Sequence, residues 1–171
     1  MHSVPGQNSV VVEGKVLATT NKTPIGAFTV KAYLVENAPG ADKPLAQTLT
    51  RADGTYSLPI STTLNEVVLR FEKLTYFSVP PQLTVALTPP KTTVPDIAAV
   101  KYSYGQAVST SDLVDALSIR HDSFNMVNAN WTPNERENAR KKSLEADLNS
   151  LQKAGVDSRT IMAVKEKLPG P

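Results

Sequence analysis

Residues 50–58 read Thr50-Arg51-Ala52-Asp53-Gly54-Thr55-Tyr56-Ser57-Leu58, the most informative segment of the sequence. At its centre lies an Asp-Gly pair, which favours a two-residue turn because glycine adopts a positive φ without steric cost and aspartate hydrogen-bonds nearby backbone. After the turn, alternate residues from Tyr56 to Ile60 are apolar. The pattern predicts a β-hairpin in which the Asp-Gly turn sets the register of the two strands that flank it.

Outward from this turn, other segments also place apolar side chains at every second position, as strands with one buried face do. They are residues 10–17, 28–34, 67–72 and 83–88, with residues 45–50 and 94–101 as two further candidates. Together with residues 55–60 they predict an antiparallel β-sandwich of about seven strands. Parallel pairing is not expected, because no connection is long and helical enough for a crossover.

The composition changes near residue 105, beyond which prolines become rare and helix formers take over. Three helices are predicted, over residues 109–128, 133–154 and 158–168, with Ser109, Thr132 and Asp157 as their N-caps. Their apolar stripes need a surface to cover them. That surface is either the other helices, the sandwich or a partner.

These patterns divide the chain into a flexible N-terminus (1–8), a sandwich (9–104) and a helical segment (105–171). No apolar run approaches the roughly 20 residues that span a bilayer. The first residues show neither the basic nor the apolar region of a signal peptide. The protein is therefore expected to be either cytoplasmic or exported with its signal already removed.

Composition also limits the chemistry. The chain has no cysteine, which excludes disulfides and cysteine-based zinc sites, and its net charge of +2 does not point to a nucleic-acid partner. It has two histidines, His2 and His121, and no nucleophile that could be paired with either. We expect no catalytic residue, no metal site and no cofactor. Scattered aspartates offer no calcium-type loop.

Five sets of residues carry a family resemblance, two of them being the strand segments 24–30 and 67–71. Val12-Glu13-Gly14-Lys15-Val16 has the form of an opening strand, Thr50, Asp53, Gly54, Tyr56 and Leu58 that of a central signature, and Val94-Pro95-Asp96-Ile97 that of a closing strand. In this order they resemble carboxypeptidase regulatory-like domains, small transthyretin-like β-sandwiches, over residues 9–101. The resemblance does not extend to the helical segment, and residues 61–65 replace the family's usual Pro-Gly-x-Tyr turn.

The resemblance implies a non-catalytic binding or assembly module of an exported, periplasmic, outer-membrane-associated or cell-surface protein, in contact with protein or carbohydrate. It also implies a structural signature of Gly14, Asp53, Gly54 and Tyr56. Two alternatives remain open. The chain is an accessory domain of a peptidase or hydrolase system, or the helices form a regulatory or nucleic-acid-binding module. The basic residues of the second helix, Arg136, Arg140, Lys141 and Lys142, support the last alternative, although nearby carboxylates neutralise them.

Several aromatic residues are candidates for contact with a partner. Tyr76 and Phe77 fall in a predicted loop before Pro80-Pro81, and Trp131 precedes the second helix. Exposed loop aromatics often mark recognition surfaces. For Trp131, as for Tyr102 and Tyr104, the simpler interpretation is that the aromatic ring receives the helical segment.

Overall fold

The structure, a computed structural model, describes residues 8–35, 43–62, 65–101, 108–127 and 132–168, with the side chains of residues 8, 62 and 124–127 outside the description. The described residues form nine strands and three helices. In chain order they are β1 (Asn8–Ala18), β2 (Thr29–Tyr33), β3 (Pro44–Leu49), β4 (Thr55–Thr62), β5 (Glu66–Glu72), β6 (Tyr76–Val79), β7 (Gln82–Ala86), β8 (Lys91–Thr93), β9 (Ile97–Lys101), α1 (Thr110–Val127), α2 (Pro133–Lys153) and α3 (Ser158–Lys167).

The strands form two sheets. The β1 sheet has the order β4-β1-β9-β6, with β8 also beside β1, and the β2 sheet has the order β3-β2-β5-β7. Side chains from both sheets meet in one apolar core, because alternate residues of β1, β4, β2 and β5 point between them. This core includes Val12, Val16, Phe28, Val30, Tyr56, Leu58, Leu69 and Phe71.

The expectation of purely antiparallel pairing is wrong at β1. This strand pairs antiparallel with β4 but parallel with both β8 and β9. A parallel pair needs a long connection, and a helix is its usual form. Here the chain between β1 and β8 passes through the second sheet, and this passage takes the place of a crossover helix.

The structure has two more strands than the pattern predicts. The additional strands, β6 and β8, contain four and three residues and lie directly beside Pro80 and Pro90, where the sequence predicts turns. Segments this short show no alternation that could be detected.

The predicted hairpin is also corrected. β3 and β4 do not pair with each other, because β3 pairs with β2 in one sheet and β4 with β1 in the other. The Asp53–Gly54 turn therefore connects the two sheets and does not set the register of β3 against β4. Contacts at both of its ends hold it in place, with Thr50 bound to the β2 side and Gly54 to β1.

The three helices form a layer on the outer face of the β1 sheet. Alternate residues of β9 divide between the two sides, since Ile97 and Ala99 belong to the central core and Ala98 and Val100 face the helices. A second apolar cluster joins these residues to the helices and includes Val79, Leu113, Ala116, Leu117, Leu148, Leu151, Ile161 and Val164. Of the three surfaces considered from the sequence, the helices use each other and the sheet.

Helix starts follow the predicted caps. Ser109 Oγ accepts a hydrogen bond from Asp112 N, Thr132 and Glu135 form a reciprocal capping box, and Asp157 accepts from Thr160 N. Each of these side chains satisfies a backbone donor that the first turn leaves without an intrahelical partner. None of the described helices has the length and apolar character needed to cross a membrane.

Candidate functional site

The turn that joins the sheets is fixed by side-chain hydrogen bonds at both ends. Thr50 Oγ1 accepts from Phe28 N (2.9 Å) and donates to Ile25 O (2.7 Å). Asp53 Oδ1 accepts from both Thr55 N (3.0 Å) and Thr55 Oγ1 (2.6 Å). These two bonds favour the charged carboxylate and lower the pKa of Asp53 below its ordinary value.

Gly54 is required by conformation and by space. Its φ is +80°, and a Cβ added there would lie 2.7 Å from Val16 O and 3.0 Å from Pro24 Cβ. The close approach lets Gly54 O accept a hydrogen bond from Val16 N (2.9 Å). A glycine at this position thus ties the turn to β1.

Gly14 and Tyr56, the other two residues of the predicted signature, are directly opposite each other on β1 and β4. A Cβ at Gly14 would lie 2.7 Å from Tyr56 Cζ, so the phenol ring fills the space that a side chain would need. Tyr56 is 1% exposed, and its hydroxyl has no hydrogen-bond partner among the described residues. Burial raises its pKa strongly, because the phenolate would lose its hydration.

Two of the four signature residues, Gly14 and Tyr56, border an open cleft of about 470 Å³ on the outer face of the β1 sheet. The cleft is bordered by Glu13, Gly14, Lys15, Arg51, Thr55, Tyr56, Ser57, Lys91, Thr93, Val94 and Asp96. Lys91 Nζ lies 3.1 Å from Glu13 Oε2, so these two charges satisfy each other. Lys15 acts on the carboxylate of Asp96, and Arg51 acts on that of Asp53 beside the cleft. With Asp53 included, the cations and carboxylates at the cleft balance.

Behind the cleft, one arginine ties the helices to the sheet. Arg120 of α1 is 2% exposed, and its Nε lies 2.7 Å from Oδ2 of the equally buried Asp147 of α2. Its remaining donors reach Asp147 Oδ1 (3.0 Å), Ser143 Oγ (3.2 Å) and, between β8 and β9, the carbonyls of Pro95 (3.4 Å) and Asp96 (3.0 Å). We call this set of contacts the Arg120 clasp.

The clasp is not among the features predicted from the sequence, although the sequence carries a signal for it. Arg120 lies three residues after Leu117 on the predicted apolar stripe of α1, and Asp147 lies between Leu144 and Leu148 on that of α2. Opposite charges within two apolar stripes predict a buried pair. Burial raises the pKa of Asp147, and the Arg120 guanidinium opposes the shift.

His121 lies beside a small cavity of about 100 Å³ between α1 and α2. Its ring is half-exposed, and Nδ1 lies 3.7 Å from the carboxylate of Asp122. In the described part of the chain, no three His, Cys, Asp or Glu side chains are placed to hold a metal ion. His2 lies outside the described residues.

The candidate contact aromatics do not form one surface. Tyr76 and Phe77 lie on β6 rather than in a loop, and both are partly buried: Tyr76 packs edge-on against Phe28, and Phe77 contacts the helical cluster. Leu74, just before them, is 90% exposed. Trp131, Tyr102 and Tyr104 lie outside the described residues. A contact role for these aromatics stays a prediction.

The strand edges differ in how they are protected. At β7, Ser150 Oγ of α2 accepts from Gln82 N (3.3 Å) and donates to Gln82 O (3.1 Å), so a helix covers the first residue of that edge. At β4, Pro59 removes one backbone donor. β3 carries no charge and no proline beyond its first residue, and its Leu45 and Leu49 are 39% and 57% exposed. Within the described residues, β3 pairs only with β2.

No protein-family model matches this chain, and no curated protein sequence matches it. Among solved structures, a streptococcal ancillary pilin matches 54% of this chain and 32% of its own at 11% identity, with a TM-score of 0.42. A minor pilin of Streptococcus agalactiae matches 60% and 48% at 15% identity (TM-score 0.40). A 3-chlorocatechol 1,2-dioxygenase from Rhodococcus opacus matches 55% and 60% at 9% identity (TM-score 0.39).

This chain spans a third to three fifths of the length of those structures. Because TM-scores of 0.39 to 0.42 are too low to establish a shared fold, the likenesses carry no argument about what the chain does. The resemblance to carboxypeptidase regulatory-like domains stays a prediction.

Proposed function

We propose that this chain is a non-catalytic binding or assembly module of an exported or cell-surface protein, and that it binds another polypeptide through its two-sheet part. The observation that carries the proposal is the β3 edge, which is uncharged and carries two exposed leucines. An open strand edge is a ready template for pairing with another chain, and proteins that do not use one usually block it. The family resemblance supports the transthyretin-like sandwich and the exported location.

The apolar faces of the helices are already buried, which supports placing the binding surface on the two-sheet part. Their apolar stripes are already covered by the β1 sheet and by each other. The Arg120 clasp adds a buried ion pair and two hydrogen bonds to the β8–β9 connection. A helical layer held in this way acts as part of the scaffold, and its inward face is not free for a partner.

A selection from a random peptide library on the folded full chain tests the proposal. We expect peptides that bind reversibly, compete with one another and are recovered intact by mass spectrometry. Recovery of cleaved peptides would contradict the non-catalytic assignment. Failure to enrich any peptide beyond an unrelated β-sheet protein of similar charge would contradict polypeptide binding. A glycan array run in parallel tests carbohydrate binding, the alternative to polypeptide binding.

A further inference from the structure

We propose that the free edge of β3 binds an extended peptide segment with apolar side chains in its middle and acidic side chains at both ends, and that the segment joins the β2 sheet as an additional strand. This inference rests on the proposed function and gives it a place and a partner class. Strand addition of this kind draws its affinity from main-chain hydrogen bonds and its specificity from alternate side chains.

The hydrogen bonds at the end of β3 show which backbone groups are free. Thr50 N donates to Phe28 O and Thr50 O accepts from Ala27 N, both at 2.9 Å, so the polar groups of Thr50 face the β2 side. The direction of these groups alternates along an antiparallel strand. Those of Thr48 therefore face β2, and the N–H and C=O of Gln47 and Leu49 face the open edge.

The side chains on this edge suit an apolar partner strand. Ala46 packs against the central core, which places Gln47 and Leu49 on the outer face of the β2 sheet. Leu45 is the extra residue of a register shift between the pairs Ala32↔Ala46 and Tyr33↔Pro44. Leu45 and Leu49 thus present apolar surface at the two ends of the exposed edge, and a partner with apolar residues at alternate positions would bury both.

The charges around β3 favour particular residues at the two ends of a partner strand. Lys43 precedes the strand, and Arg51 lies two residues beyond its end. Neither takes part in a described ion pair. Arg51 donates to Thr55 Oγ1 (3.2 Å) and lies near the Asp53 carboxylate, so Lys43 is the less engaged of the two. The nearest cations of the sheet are already engaged: Lys31 lies 3.1 Å from Glu72, and Arg70 stacks 4.6 Å from the Tyr33 ring. Acidic residues at both ends of an added strand would complement Lys43 and Arg51.

A second copy of the chain is the competing occupant. In the antiparallel register centred on Gln47, Lys43 of each copy would lie opposite Arg51 of the other. Like charges directly opposite each other destabilise a strand pair. The charges therefore favour an acidic segment over self-association.

The test uses the full chain and a capped peptide of about nine residues, with alternating valine and threonine in the middle and two glutamates at each end. Binding is measured by titration with fluorescence anisotropy, and the contact is mapped by amide hydrogen exchange. We expect the exchange of the Gln47 and Leu49 amides to slow when the peptide is bound. A matched peptide with lysines at its ends should bind at least about tenfold more weakly.

Two protein variants locate the edge. Gln47→Pro removes an N–H that faces the open edge and leaves the bonds of Thr48 to β2 in place, so the peptide Kd should rise at least about tenfold. Leu49→Lys, which adds a charge on the outer face, should weaken binding without a change of backbone. The thermal midpoint of each variant, measured in parallel, shows that it is folded.

Three results would overturn the inference. The first is equal binding of the peptide to the two variants and to the unaltered chain. The second is binding of the lysine-ended peptide as tight as that of the acidic one. The third is a dimer in sedimentation that Gln47→Pro dissociates, which would show that a second copy occupies the edge. If selected library peptides bind but protect amides on another surface, only this inference is contradicted. If the library selection enriches no peptide, the proposed function is contradicted as well.

Discussion

Gly14 of β1 and Tyr56 of β4 form one cross-strand pair, in which the phenol ring of Tyr56 occupies the space that a side chain at position 14 would take. The pair lies at the gap in the β1 sheet where β8 ends and β9 begins. The charges of Arg120 and Asp96 act on the Tyr56 hydroxyl from the helical side of this gap. One glycine thus lets a core tyrosine extend from the central core towards the clasp.

The Gly14–Tyr56 pair predicts a specific coupling. Gly14→Ala should lower the free energy of unfolding by about 1–3 kcal/mol, because the new methyl group overpacks against the ring. Tyr56→Phe should be neutral or stabilising, since it removes a buried hydroxyl without a partner. The double variant should lose less than the sum of the two single variants, as measured by urea unfolding. Simple additivity would show that the ring and position 14 do not compete for space.

Gly54 and Gly155 provide a matched comparison, because both have positive φ (80° and 105°). A Cβ at Gly54 would approach Val16 O closely, whereas one at Gly155 would meet nothing within 4 Å. Gly155→Ala should cost about 1 kcal/mol from backbone strain alone. Gly54→Ala should cost clearly more and loosen the turn between the sheets. Equal losses in thermal unfolding would argue against the close contact.

The clasp predicts that its two partners depend on each other. Arg120→Met leaves the Asp147 carboxyl buried without its cation and should destabilise the chain by about 3–5 kcal/mol. Replacing both residues, as Arg120→Met with Asp147→Leu, should recover part of that loss because no buried charge remains. Chemical unfolding followed by circular dichroism measures both. The single variant Asp147→Leu completes the comparison. If the double variant loses as much unfolding free energy as the two single variants together, the pairing is contradicted.

Acid should weaken the cap of α3. Hydrogen bonds from Thr160 lower the pKa of Asp157 below its ordinary value near 3.8. A lowered pKa in the folded state stabilises the fold above the unfolded pKa, and this contribution is lost as the pH falls through the folded pKa. Asp157→Asn keeps the acceptor without the charge. The gap in thermal midpoint between the unaltered chain and this variant should therefore narrow from pH 7 to pH 3. A gap that stays constant would show that the carboxylate charge contributes nothing.

Much of the fold is predictable because local pattern and local chemistry agree. Alternating or apolar runs locate the seven longer strands, with β3 and β9 only as further candidates, and the caps at Ser109, Thr132 and Asp157 locate the helix starts. β6 and β8 escape detection because they are too short to alternate, and their flanking prolines suggest turns. The hairpin interpretation of Asp53–Gly54 fails because local turn chemistry does not specify which sheet each flanking strand joins.

The candidate surfaces are less predictable than the fold. The sequence indicates that Gly14, Asp53, Gly54 and Tyr56 belong together, but not that Gly14 and Tyr56 share one volume. The openness of the β3 edge depends on where α2 and β4 lie, which is set by tertiary packing and not by the β3 residues themselves. The clasp, by contrast, could have been inferred from the charges within the apolar stripes of α1 and α2.

Native-state hydrogen exchange of the full chain, resolved to single residues, decides whether β3 presents an open edge for strand addition. The amides of Thr48 and Thr50 should exchange slowly, because they face β2, and those of Gln47 and Leu49 should exchange rapidly. Addition of the acidic peptide should bring Gln47 and Leu49 to the slow rate. If the amides of Gln47 and Leu49 are protected before any peptide is added, the edge is already covered, and strand addition at β3 is ruled out.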